Sequence, residues 1–114
     1  NGALAYDDVL GYETVDKRYS NGDYFYLRVV GDSMSPKIEN DDLVLVHKQS
    51  SVDSGNYAVV VVDDENGCVK KVKYDSDWIE LHSINPYYPV RRFEGEDVLK
   101  IRVVGKVIEV KRKL

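Results

Sequence analysis

The sequence predicts a mostly β protein, built as strongly bent antiparallel sheets or a partly closed barrel. Three observations carry that prediction. Short runs rich in valine, isoleucine, leucine and tyrosine recur along the 114 residues, each bounded by turn-forming residues. Asn66-Gly67 sits between two such runs, and Asn-Gly in that setting is the strongest short-range hairpin signal. No stretch holds an apolar helical period over three turns.

Residues 1 to 23 are polar and turn-rich, and the pattern predicts a segment lying over the body rather than at its centre. Within it, Val9 to Val15 reads as a short strand. Tyr24 to Val30 is the first strong β-run, and it ends in the corner Gly31-Asp32-Ser33-Met34-Ser35-Pro36. Met34 to Asp42 suits one helical or irregular turn. Leu43 to His47 is continuously apolar up to its histidine, short and flanked by charge, the pattern of a buried strand. Tyr57 to Val62 is the next strand, and the Asn-Gly signal makes Cys68 to Tyr74 its return. Trp78 to His82 reads as another strand. Asn85-Pro86-Tyr87-Tyr88-Pro89 is a loop, because each proline obstructs helix and central strand alike. It is read as packed on its own domain, with the tyrosine pair exposed. The last strand is Val98 to Val110, long and β-branched, with Gly105 as a bulge or bend.

A chain of this length forms one domain, residues 1–114, large enough for its own core. No apolar run approaches the roughly 20 residues that span a bilayer, and no signal peptide opens the sequence, so no membrane role is expected. The net charge of −4 argues against nucleic acid as a direct partner. Lys111-Arg112-Lys113 is too small a basic cluster to reverse that. Cys68 is the sole cysteine, which excludes an internal disulfide and points to a reducing, cytoplasmic setting. Two separated histidines and no Cys-x-x-Cys give no metal set, and no cofactor is implied.

Chemistry concentrates at two places. A strand ending in Gly-x-Ser presents a hydroxyl at a sharp corner, where backbone amides can converge on an oxyanion. Gly31-Asp32-Ser33 alone is equally ordinary turn chemistry. The period of two along Cys68 to Tyr74 then sets Lys70 with Cys68, Val72 and Tyr74, while Lys71 and Lys73 share the other, solvent-facing side. Either Lys70 snorkels to the sheet edge, or its amine is buried. Burial disfavours the ammonium and can lower a lysine pKa by roughly 3 to 5 units, making a base that works near neutrality. Ser-Lys pairs are a known variant of the serine triad. His47 and His82 end strands beside polar residues and are expected to be exposed, which makes either a poorer base.

Leu27-Arg28-Val29-Val30-Gly31-Asp32-Ser33-Met34 resembles the Leu-Arg-Val-x-Gly-x-Ser-Met signature of LexA-like repressors and their UmuD and phage-repressor relatives. Val69-Lys70-Lys71 resembles that family's Val-Lys-Arg segment, with Lys71 where arginine is usual. Asp41-Asp42-Leu43-Val44 resembles its Gly-Asp turn and strand, with Asp41 replacing the glycine. The loop at residues 85–89 and the closing Val103 to Ile108 match in order, so the resemblance covers about residues 9 to 110.

The resemblance implies an all-β peptidase domain that dimerises through its C-terminal region and cuts its own preceding segment in response to stress or DNA damage. It makes Ser33 the nucleophile and Lys70 the general base. The amides of Ser33 and Asp32 would hold the oxyanion, and Met34 would be a packing residue. It places the scissile bond near Asn1-Gly2, so that residues 1–8 are a remnant of the cleavage region; alternatively that boundary is arbitrary. It also implies a RecA-type filament as trigger, and DNA contact only through an N-terminal domain outside this sequence. Two other readings stand beside this one: a dimerisation or binding module whose cleavage is vestigial, and a UmuD-like polymerase accessory. A signal-peptidase relative shares the serine–lysine logic, but this sequence carries no anchoring helix.

Overall fold

The computed structural model describes residues 23–63 and 65–112. The expected strand at Val9 to Val15, the Asn1-Gly2 boundary and residues 1–8 lie outside the described residues. Among the described residues seven strands form one antiparallel sheet: β1 (Tyr24–Arg28), β2 (Leu43–Lys48), β3 (Tyr57–Val62), β4 (Cys68–Asp75), β5 (Trp78–His82), β6 (Arg91–Glu94) and β7 (Ile101–Lys111). Their order across the sheet is β1-β2-β7-β3-β4-β5-β6. Among the described residues the ends of that order, β1 and β6, do not pair, so the sheet is open, and the mostly β, antiparallel architecture is the one expected.

Local sequence accounts for most of these elements. β3 is Tyr-Ala-Val-Val-Val-Val, β-branched residues that pack well on a pleated surface. It is buried from Ala58 through Val62, as a central strand covered on both faces should be. β3 and β4 form the hairpin that Asn66-Gly67 announces, in the register Val60↔Cys68 and Ala58↔Lys70. Its loop takes residues 63–67, because Val61 and Val62 continue past β4 to pair with Arg102 and Ile101 of β7. Two details depart from expectation. β6 carries no strand signal, since three of its four residues, Arg91-Arg92-Phe93-Glu94, are charged. Such a strand is tolerated at a sheet edge, where charge also discourages pairing with other chains. The segment Gly95–Lys100 is a 3-10 helix, so the last strand starts at Ile101 rather than at Val98.

β7 crosses the middle of the sheet and bends there. Its register slips once against β3, between Val59↔Gly105 and Val60↔Val103, and once against β2, between Leu45↔Glu109 and Val46↔Val107. These extra residues flank Gly105, where the sequence places a bulge. A side chain at Gly105 would run into the His47 carbonyl and lie 2.6 Å from Val46 Cγ1. Only glycine lets the two backbones approach this closely.

Both faces of the sheet are packed. Alternation along β1 and β2 sends Phe25, Leu27, Val44 and Val46 into one cluster, which also takes Val29, Met34, Ile38, Val59 and Val69. Ala58, Val60, Val62, Val72 and Leu81 form a second cluster with Val52. Tyr26 and Leu45 begin a third, on the reverse side of β1 and β2. Among the described residues, no helix is long and apolar enough to cross a membrane.

Candidate active site

The corner after β1 is built by backbone bonds. Val29 and the turn before β2 grip each other, with Val29 N–H donating to Asp42 O at 2.8 Å and Asp41 N–H donating to Val29 O at 2.8 Å. Gly31 then adopts φ 98°, a left-handed conformation that costs glycine nothing, and its N–H donates to Asn40 Oδ1 at 2.8 Å. The turn continues with Ser35 N–H on Asp32 O at 3.1 Å and Ile38 N–H on Met34 O at 2.9 Å. Met34 and Ile38 are each 1% exposed in the first cluster and anchor the turn to the sheet. Asp41, where the resembling family has glycine, sits at φ 72°. That is the conformation glycine serves best, and aspartate is among the few side chains that tolerate it.

The far side of the turn is fixed by charge. The buried Asp42 carboxylate accepts two bonds from Arg112, at 2.7 Å and 2.6 Å, and one from Glu39 N–H at 2.8 Å. The Arg112 guanidinium therefore holds the Asp42 carboxyl below its ordinary pKa.

Ser33 is fully buried and Lys70 is 6% exposed, and the Lys70 Nζ donates to Ser33 Oγ at 2.8 Å. Residues 37 positions apart in the chain thus meet in one hydrogen bond. Lys70 shares its face of β4 with Val72 and lies opposite Ala58, both in the second cluster. Snorkelling is excluded. Burial holds its amine below the ordinary lysine pKa of 10.5; the nearby Cys68 opposes that shift and Arg91 adds slightly to it. Burial likewise pushes the Cys68 thiol up. The side assigned to solvent is half-covered: Val69 is fully buried there, and Lys71 lies over the Tyr57 ring at 5.9 Å.

Three residues that the sequence did not single out for chemistry complete the site. Ser83, just beyond β5, accepts a second bond from Lys70 Nζ at 3.0 Å. Asn85 bonds the serine turn twice, its N–H to Ser33 O at 2.9 Å and its Nδ2 to Asp32 O at 3.1 Å. Tyr88 donates its hydroxyl to Asp32 Oδ1 at 2.6 Å, and Lys70 Nζ sits 5.6 Å from its ring centroid. The tyrosine pair therefore divides: Tyr88 is half-buried in the site, while Tyr87 is 92% exposed. The only sequence signal for these contacts was that the Asn85-Pro86 loop had to turn back on the body.

Neither histidine competes for Ser33. His47 is bonded to Gln49 at 2.6 Å and His82 to Glu80 at 2.8 Å, and both are half-buried rather than exposed. His47 packs against a neighbour on β1 that the two-residue alternation alone does not reveal, Tyr24, whose ring centroid is 4.7 Å from its own.

A hydroxyl bonded to an amine that burial biases toward neutrality can pass its proton to that amine and attack an electrophile. The chain is similar over most of its length to known repressors. It is 34% identical over 111 residues to the LexA repressor of Oleidesulfovibrio alaskensis, covering 96% of this chain and 52% of that protein. It is 36% identical over 120 residues to the LexA repressor of Geotalea uraniireducens, covering 99% and 57% respectively. For the LexA repressor of Ruegeria the identity is 35% over 91 residues, covering 77% and 37%. The chain thus spans about half the length of the curated relatives it matches. The profile of the Peptidase S24-like family matches residues 1–108, nearly the whole sequence, and the chain belongs to that family.

Proposed function

We propose that this chain is the self-cleaving serine peptidase domain of a LexA-like transcriptional repressor, with Ser33 as nucleophile and Lys70 as general base. The observation that carries the reading is the buried 2.8 Å contact between Lys70 Nζ and Ser33 Oγ. Neutral Lys70 takes the hydroxyl proton as Ser33 Oγ bonds to the scissile carbonyl carbon. The ammonium then returns that proton to the leaving amine as the C–N bond breaks. Water then bonds to the acyl carbon as Lys70 takes its proton, and the ammonium gives that proton to Ser33 Oγ as the ester C–O bond breaks. The Ser33 and Asp32 amides are the oxyanion donors in this scheme. Among the described residues neither donates to another group, which supports that role.

The substrate in this reading is the chain's own preceding segment, cut near Asn1-Gly2. The names of the relatives favour the repressor branch over a UmuD-like polymerase accessory. The buried Lys70–Ser33 contact, rather than those names, favours active cleavage over a pairing module with vestigial cleavage. Homodimerisation, a RecA-type filament as trigger, and DNA binding through a separate domain belong to the same proposal. The test is self-cleavage of the full-length protein, followed by gel and intact mass. Cleavage should accelerate as pH rises through the Lys70 pKa and disappear in Ser33→Ala and in Lys70→Ala, with circular dichroism showing both still folded. Cleavage at the wild-type rate in folded Lys70→Ala would remove the mechanism.

A further inference from the structure

The Lys70 amine touches two hydroxyls, and the proposed chemistry uses only one. A neutral amine has one lone pair and two N–H bonds. To accept the Ser33 proton, the lone pair must point at Ser33 Oγ, and rotation about the terminal C–N bond of the side chain is otherwise free. The hydroxyl of Ser83 lies 3.0 Å from the same nitrogen, and among the described residues it makes no other hydrogen bond. An N–H directed at Ser83 removes that rotational freedom and turns the lone pair toward the nucleophile.

We propose that Ser83 is the positioning residue of this site, its hydroxyl accepting an N–H of Lys70 and so aiming the amine at Ser33. The inference rests on the reading of Ser33 and Lys70 as nucleophile and base. Its structural support is topological. β4 and β5 pair from Lys71↔His82 to Asp75↔Trp78, so the ladder carried one step further sets Lys70 beside Ser83. Asn85, two residues on, is bonded through its backbone N–H to Ser33 O. One short segment, residues 83–85, thereby grips both members of the pair.

The hydroxyl also carries an electrostatic consequence. A hydrogen bond accepted from the ammonium favours the charged form, so Ser83 works against the burial that drives Lys70 toward neutrality. The other groups facing this amine are Cys68 on β4, Arg91 on β6 and the ring of Tyr88, whose hydroxyl is held by Asp32. Ser83→Ala leaves all of these in place.

The experiment measures phosphonylation of Ser33 by a fluorophosphonate as a function of pH, read by intact mass, in the wild type, Ser83→Ala and Ser83→Thr. In this reaction Ser33 Oγ bonds to phosphorus, fluoride leaves, and Lys70 takes the proton. For Ser83→Ala the plateau rate should fall about tenfold to a hundredfold. Its midpoint should move about half a unit to one unit toward lower pH. Ser83→Thr, which keeps the hydroxyl, should restore both. A purely structural role would lower the rate without moving the midpoint. In parallel, the Lys70 pKa is followed by NMR of its side chain, and the same acid shift is expected there. If the wild type labels at Ser33 while Ser83→Ala changes neither midpoint nor NMR pKa, the positioning role is refuted. If no protein labels, the nucleophile reading fails, and the positioning role falls with it whatever the NMR titration shows.

Discussion

Replacing Lys70 by methionine separates the two consequences of burying an amine. Methionine keeps the unbranched stem and much of the volume, so Val72 and Ala58 keep a neighbour. An ordinary lysine with a pKa of 10.5 is neutral in only about one molecule in three thousand at pH 7. Every unit by which burial lowers that value raises the neutral fraction about tenfold, and each unit corresponds to about 1.4 kcal/mol of charge-form preference. The sign follows from linkage. In the folded protein the amine releases its proton at lower pH than in the unfolded chain, where it titrates near the ordinary value. Between those two points the unfolded state binds more protons, so rising pH stabilises the fold. The wild type should therefore gain stability, at up to about 1.4 kcal/mol per pH unit, across the window from the lowered Lys70 pKa to 10.5. Lys70→Met should lack that rise. Urea denaturation at a series of alkaline pH values measures the slope, and the difference between the two proteins isolates the lysine. Absolute stabilities are less informative, because Ser33 and Ser83 both lose a hydrogen-bond partner in the variant. Labelling of Ser33 should fall about 10²- to 10⁴-fold, the usual contribution of a general base. Identical pH slopes in the two proteins would mean that this amine is not held below its ordinary pKa, and the argument for a neutral base would end there.

Other parts of the fold make further commitments. Gly105→Ala should cost about 1 to 3 kcal/mol in urea denaturation, since the new methyl meets the His47 carbonyl and Val46 across the β2–β7 ladder; an unchanged midpoint would show that β7 can move aside. Arg112→Gln should shift acid unfolding to higher pH. The wild-type contribution of Asp42 is present above the ordinary carboxylate pKa of 3.8 and is lost as pH falls through its lowered folded value. Without Arg112 most of that contribution is missing from the start, so the less stable variant unfolds at higher pH. Coincident acid transitions would refute the pairing. Tyr88→Phe removes the bond to Asp32 but keeps a ring beside Lys70, so fluorophosphonate labelling should slow about tenfold with its pH midpoint in place. A moved midpoint would mean that the phenol acts on the lysine rather than on the serine turn.

Much of this protein is legible in local pattern. A continuous apolar run specifies β2 and a β-branched one β3, and Asn66-Gly67 specifies that β3 turns back into β4. Period-two alternation set Lys70 with the apolar residues of its strand, and Gly31-x-Ser33 marked the corner. These are short-range signals, and backbone sterics alone enforce them. β6 escaped because its residues are charged and its existence depends on a partner strand, with Ile79 facing Phe93. The same limit hid the cover over Val69 and Lys71, since alternation names a side of a strand but not what packs upon it. An open sheet rather than a closed one is likewise a matter of whether β1 and β6 meet, which no local run encodes.

What the sequence determined by itself was the pair of residue types, a hydroxyl on a corner and an amine on an apolar face. The tertiary structure alone decided that they are 2.8 Å apart, and that Ser83, Asn85 and Tyr88 surround them. The physical reason is that desolvation and hydrogen bonding act at ångström range, between segments that only the completed sheet brings together.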